Sequence, residues 1–114
     1  MDELASYIFN YYSHLLTHEE RAAHRTILGE LKIEHDHSPE MKRAVRKFWG
    51  STDPKVLALL QDGAESFWER ARDRVLREQR DQVFLNHCPQ CGALAKTPTA
   101  KQCPKCFFSW HGEV

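Results

Sequence analysis

The residues with the most distinctive chemistry are four cysteines, arranged as Cys88-Pro89-Gln90-Cys91 and Cys103-Pro104-Lys105-Cys106. Two residues between thiols allow a tight turn that aims both sulfurs at one ion. Two such turns supply four thiolates to a tetrahedron. Eleven residues separate the pairs. Pro89 and Pro104 favour the turn by fixing φ. Gly92, directly after the first pair, permits a left-handed backbone that turns amides towards sulfur. A disulfide framework would scatter its cysteines over the fold. Here they are paired, and the opening Met1-Asp2-Glu3 has the wrong charge for a secretory leader. That combination reads as metal ligation in a reducing, cytoplasmic setting. The expected site is Cys88, Cys91, Cys103 and Cys106 around one ion. A closed four-thiolate set leaves no open coordination position, which argues against hydrolysis there.

Other candidate chemistry is weaker. Glu34-His35-Asp36-His37 gathers metal-capable groups, and His14, His18 or His24 could join them, but the run reads as a solvated polar loop. His18-Glu19 begins an H-E-x-x-H motif, yet Ala22 stands where the second histidine is needed. H-x-E occurs at His18-Glu19-Glu20 and His111-Gly112-Glu113, but proline follows the first cysteine of each pair instead of preceding it, so a zinc deaminase does not fit. Phosphate loops and nucleophile elbows are missing. His87 and His111 flank the cysteines and read as hydrogen-bonding neighbours of the ligands. Lys42, Arg43, Arg46 and Lys47 put four cations into six residues of one segment. With Lys96, Lys101 and Lys105 they are candidate nucleic-acid contacts, against the alternative of an ordinary solvated face.

The elements that must position the cysteines are helical. Leu4, Ile8, Tyr11 and Leu15 form one stripe over residues 3–16. Thr17-His18-Glu19-Glu20 is a capping box for a second helix that buries Ala23, Ile27, Leu28 and Leu31, weakened by Gly29. Ser38-Pro39 starts a third, with Met41, Ala44, Val45 and Phe48 expected inward. Asp53-Pro54 starts a short fourth, closed by Gly63. A long fifth is expected over residues 64–85, laced by Asp73–Arg77, Arg74–Glu78 and Arg77–Asp81 pairs. Tyr11, Tyr12, Phe48, Trp49, Phe67 and Trp68 read as core. The segment ALAKT and the residues before Cys103 are expected to pair as short strands about Pro98-Thr99.

The expected architecture is therefore mainly α: a small four- to five-helix bundle over residues 1–85, then a C-terminal β-hairpin carrying the metal over residues 86–114. That last stretch is too short to fold on packing alone, and the ion supplies what it lacks. The whole chain has 114 residues, 41% apolar and 28% charged, which suits one globular domain. Its formal charge is zero but polarised. Residues 1–40 hold three basic and eight acidic side chains; residues 41–85 hold ten and seven; residues 86–114 hold three and one. That excludes a strongly basic nucleic-acid binder and suits protein contacts. No apolar run approaches the ~20 residues of a membrane span.

Cys88-Pro89-Gln90-Cys91-Gly92 and Cys103-Pro104-Lys105-Cys106 resemble the zinc ribbon, a short rubredoxin-like hairpin at the ends of many cytosolic proteins. The resemblance covers about a quarter of the chain. It implies that the four cysteines bind one structural Zn²⁺. Phe107 departs from the pattern, standing where a second knuckle usually has glycine, so that turn is expected to be less regular. The spacer is also shorter than in many ribbons. Four thiolates bind iron as well, but a ribbon needs no redox chemistry. Three functional readings follow. The first is a non-enzymatic, zinc-binding interaction protein whose partner is another protein: a regulator, adaptor or toxin-neutralising factor. The second is a nucleic-acid-binding regulator using the basic helix and the ribbon lysines. The third is a metal-dependent enzyme or redox protein. Phe107, Phe108 and Trp110 are too apolar for a free tail, and two of them are expected to pack on the long helix.

Overall fold

The computed structural model describes residues 1–34 and 38–110. Among these described residues there are five α-helices: α1 (Glu3–Tyr11), α2 (His18–Lys32), α3 (Pro39–Trp49), α4 (Pro54–Leu59) and α5 (Ala64–Glu78), with single 3-10 turns at Ser13–Leu15 and Arg80–Gln82. The chain divides into two compact units. One comprises Leu16–Ala71; the other joins Met1–Leu15 to Arg72–Val114. The boundary expected between residues 85 and 86 falls inside the second of these. Among the described residues no helix is long and apolar enough to cross a membrane.

In the unit of residues 16–71 the helix starts are those the capping residues dictate. Thr17 Oγ1 accepts from Glu20 N at 3.1 Å while Glu20 Oε1 accepts from Thr17 N at 2.8 Å, a reciprocal cap that keeps the buried Glu20 carboxylate bonded. Ser38 caps α3 through Met41 N at 3.2 Å, and Asp53 caps α4 through Lys55 N at 2.9 Å, each followed by proline. Val56, Phe67, Trp68, Ala23 and Ala71 form the buried interior.

The inward face of α3 differs from the sequence expectation. Met41 is 50% and Phe48 70% exposed, and Ala44 is exposed too. Val45, as expected, and Trp49 face α2. Gly29 is the cause. A Cβ built there would lie 2.5 Å from Trp49 Cβ, so the missing side chain is the slot that receives Trp49. Arg25 and Lys32 of α2 then cover the indole at 5.2 and 4.7 Å. Arg46 pairs with Glu30 at 3.1 Å, and Thr26 Oγ1 lies 3.3 Å from Trp49 O. Glycine therefore does not merely weaken α2. Gly29→Ala gains about 1 kcal/mol of helix propensity but forces apart atoms fixed to two backbones, at about 1–3 kcal/mol. The expected net result is a lower denaturation midpoint, whereas the propensity scale alone predicts a higher one.

Trp68 Nε1 donates to His24 Nδ1 at 3.0 Å, which requires a neutral imidazole. Burial lowers the His24 pKa below its ordinary 6.5. The unfolded chain takes the proton first, so this contribution is complete above about pH 6.5 and is lost as pH falls through the lower folded value. In an NMR titration of the folded protein the Trp68 indole N–H is expected to shift with a midpoint below 6.5, and not to titrate in His24→Phe.

The other unit holds the cysteines. Asp2 caps α1 through Ala5 N at 2.7 Å and also pairs with Arg72. Ala5, Tyr7, Ile8 and Phe9 are buried, whereas Tyr11 is 44% exposed. Both α1 and α5 stop short of their expected ends, at Tyr11 rather than 16 and at Glu78 rather than 85. The reason for the second lies in α1 and its C-cap residue, Tyr12. The Tyr7 and Tyr12 hydroxyls both hydrogen-bond Phe84 O, Tyr12 OH also accepts from Phe84 N at 3.1 Å, and Tyr7 OH accepts from Asn86 N at 3.3 Å. Those backbone groups are drawn out of any helix by side-chain partners. Of the expected α5 pairs, Arg74–Glu78 forms at 2.8 Å, while Asp73 pairs with its neighbour Arg72.

The expected C-terminal β-hairpin is absent. Among the described residues there is no strand, only two isolated bridges, His87–Leu94 and Gln102–Ser109. Each bridge closes one cysteine loop on itself. The flanking amides bond within each loop instead, Cys88 N to Ala93 O and Cys103 N to Phe108 O, and Pro98 in the spacer has no amide to add to a ladder.

Candidate metal centre

The two cysteine loops repeat one geometry at an interval of fifteen residues. Cys88 N bonds Ala93 O at 2.8 Å, and Cys103 N bonds Phe108 O at 2.9 Å. Gly92 N bonds Cys88 O at 2.9 Å, as Phe107 N bonds Cys103 O at 3.1 Å. Ala95 N reaches Asn86 O at 2.7 Å, and Trp110 N reaches Lys101 O at 2.8 Å. Within each loop two amides face the first sulfur. Gln90 N and Cys91 N lie 3.3 and 3.4 Å from Cys88 Sγ; Lys105 N and Cys106 N lie 3.3 and 3.4 Å from Cys103 Sγ. Such N–H···S bonds stabilise thiolate over thiol.

This geometry needs a left-handed residue after the second cysteine of each loop. Gly92 supplies it with φ 80°, and Phe107 adopts the same conformation with φ 64°. The second turn is thus as regular as the first, and the expected irregularity is replaced by local strain. An L-residue in that region costs roughly 1–2 kcal/mol, and glycine returns part of this as chain entropy. Phe107→Gly is expected to stabilise the metal-loaded protein by about 1 kcal/mol or slightly less, read from the denaturation midpoint.

The loops bring the four sulfurs together. All lie within 4.8 Å of one another, with Cys88–Cys106 at 3.6 Å and Cys91–Cys103 at 3.4 Å. Cys88 and Cys103 are buried, Cys106 is half-buried and Cys91 is exposed. All four are free thiols, and the set could hold a metal ion. Around them pack Ala95 and Trp110, with Ala93, Ala100 and Phe108 at the margin. Phe108 and Trp110 stack at 6.4 Å in this small core, which gives the apolar tail a place beside the cysteines, while Phe107 is 71% exposed.

Without metal the sulfurs differ. Cys103 is pulled down to about 6, first by the Cys106 N–H; burial opposes this, and the Lys105 N–H and neighbouring thiols assist. Burial pushes Cys88 up, but the N–H groups of Cys91 and Gln90 and the Cys106 thiol bring it below the ordinary value. The Phe108 N–H favours the Cys106 thiolate, yet burial and the three other sulfurs push it up to about 12. Four negative sulfurs cannot coexist this closely without a cation, so metal loading must displace protons.

Two groups not singled out by the sequence, Asn86 and Tyr7, hold the centre in place together with Lys105. Asn86, only 6% exposed, donates through Nδ2 to Thr97 O and Ala100 O, both at 2.9 Å, and so ties the spacer to the first loop. Tyr7 holds Asn86 N from α1. Lys105 pairs with Glu3 at 2.8 Å, which raises its pKa. An asparagine two residues before a CxxC pair carries no pattern that marks it in the sequence. His87 Nδ1 lies 3.1 Å from Gly92 O, a hydrogen bond to the loop rather than a sulfur-replacing ligand.

The remaining candidates are dispersed. His35, Asp36, His37 and His111 lie outside the described residues. His24 is engaged by Trp68, and His14 and His18 are exposed. Among the described residues the cysteines alone form a group of three or more metal-capable side chains with converging ligand atoms. Of the seven candidate nucleic-acid contacts, Arg46 is paired with Glu30 and Lys105 with Glu3. Lys42, Arg43 and Lys47 lie on α3, in the unit of residues 16–71; Lys96 and Lys101 belong to the other unit. Compared with protein-family models, with curated proteins and with solved structures, this chain has no match in any of the three.

Proposed function

We propose that Cys88, Cys91, Cys103 and Cys106 hold one structural zinc ion per chain, and that the protein is a non-enzymatic interaction protein whose metal-organised end serves contact with another protein. The observation that carries the metal part is the convergence of four sulfurs within 4.8 Å, each loop directing two amides at its first sulfur. Zinc is favoured over iron because d¹⁰ zinc takes four thiolates in a tetrahedron with no redox demand. A full thiolate shell has no position for water or substrate, which supports a structural role. When bound, the ion neutralises half of the thiolate charge; the residues of the chain do the rest, by fixing sulfur positions and excluding water with Trp110 and Ala95.

The protein-binding part rests on charge polarity and on apolar groups left at the surface of the cysteine-bearing unit, Phe84 and Phe107 foremost. The test has two steps. Purified protein is expected to be colourless with one zinc per chain by elemental analysis; visible absorbance bleached by reductant would indicate iron instead. A specific protein is then expected to co-purify and to be lost on chelation. Salt-sensitive retention on DNA or RNA, abolished in Arg43→Ala/Arg46→Ala, would overturn the protein-binding reading in favour of the nucleic-acid one.

A further inference from the structure

The four sulfurs are not equivalent in access or in spacing. Cys91 is the exposed member, at the surface of the first loop. Cys103 of the other loop lies 3.4 Å from it. The second close pair, Cys88 with Cys106 at 3.6 Å, also joins the two loops. Each close pair combines one buried sulfur, held by two amides, with one more accessible sulfur. A disulfide needs a sulfur separation of about 2.05 Å, so both cross-loop pairs, at 3.4 and 3.6 Å, are within about 1.6 Å of bonding distance.

We infer that Cys91 is a site of oxidation by hydroperoxides, and that its oxidation releases the ion by bonding the two loops to each other, Cys91 to Cys103 and then Cys88 to Cys106. The inference rests on the metal reading above. The Cys91 thiolate attacks a peroxide oxygen; the O–O bond breaks, hydroxide leaves, and Cys91 becomes a sulfenic acid. The Cys103 thiolate then attacks that sulfur. The S–S bond forms, the S–O bond breaks, and a second hydroxide leaves. Two thiolates have lost two electrons, one peroxide has gained them, and two protons from solvent convert both hydroxides to water. The two sulfurs that remain no longer make a four-thiolate site. A second peroxide oxidises Cys88 and Cys106 in the same way. Because the loops already abut, oxidation needs small sulfur movements and no unfolding of the knuckles. The reaction is reversible by dithiols.

The protein's own trypsin sites make the pairing readable. Cleavage gives residues 81–96 with Cys88 and Cys91, residues 102–105 with Cys103, and residues 106–114 with Cys106. The zinc content of the full chain is measured first; hydrogen peroxide is then added in steps with a chromogenic zinc chelator present, and alkylated digests are analysed without reduction. Below one equivalent, peptide 81–96 is expected bonded to 102–105, with fragmentation at Pro89 assigning the bond to Cys91. At excess peroxide all three peptides are expected in one disulfide-linked species, with one zinc released per chain and recovered on reduction. Peptide 102–105 bonded to 106–114, with an internal disulfide in 81–96, would overturn the inference while leaving the metal reading intact. So would retention of zinc at peroxide levels that oxidise free cysteine. Absence of zinc before any peroxide is added would overturn the metal reading itself, and this inference with it.

Discussion

Cys103→Ser is expected to lower the zinc content from one ion per chain towards zero after dialysis against a weak chelator, and to abolish amide protection over residues 86–110 while leaving that of α2 in place. Cys103 is the most buried of the four thiols, 1% exposed, and accepts from Lys105 N and Cys106 N. A serine hydroxyl there is neither a thiolate nor a soft donor, so the shell loses a charge and a ligand together. The magnitude follows from what the ion replaces. Structural zinc contributes on the order of 10–16 kcal/mol in small peptide sites, whereas a core of this size supplies no more than about 3–5 kcal/mol. The apolar group around the sulfurs is small: Ala95 and Trp110, with Ala93, Ala100 and Phe108 beside them. Chelation of the wild type should reproduce the loss of protection. Hydrogen exchange with and without chelator, beside elemental analysis, reads both parts. Full zinc occupancy in the serine variant would contradict the assignment.

The second large effect is expected at Asn86. Its side chain donates to two backbone carbonyls of the spacer from a buried position. Asn86→Ala leaves Thr97 O and Ala100 O without those donors, at about 1–3 kcal/mol for each carbonyl that water does not reach. Asn86→Asp is expected to be worse than alanine despite its similar shape. It removes the amide donors and sets a second oxygen against two carbonyls, so like partial charges face one another in a buried site. The expected order of stability is wild type, then alanine, then aspartate, by denaturation of the zinc-loaded proteins. Zinc transfer to a competing chelator should accelerate in the same order, because the spacer that joins the two cysteine loops loses its anchor. Equal stability of alanine and aspartate variants would show that water, not the spacer, satisfies the site.

Much of this was legible in the chain. The metal-capable set is local: each CxxC pair is four residues long, and turn preferences of Pro89, Pro104 and Gly92 operate within that span. Helix starts are local as well. Thr17, Ser38 and Asp53 each satisfy amides two or three residues away, which is why the caps of α2, α3 and α4 are found where those residues stand.

What the tertiary structure decided has the opposite character. The end of α5 depends on hydroxyls 77 and 72 residues before Phe84, since Tyr7 and Tyr12 capture its backbone. The face that α3 presents to α2 depends on a missing side chain at Gly29, which no count of apolar spacing registers because the spacing treats Met41, Phe48 and Trp49 alike. The same holds for the hairpin. Sequence spacing brings two sulfur pairs within reach but does not say whether their flanking amides bond across the loops or within them, and in the folded chain each loop spends its own. Short-range covalent spacing and capping determined the metal-capable set and the helix starts; helix ends and facing were left to partners far away in sequence, which exist as neighbours only once the chain has folded.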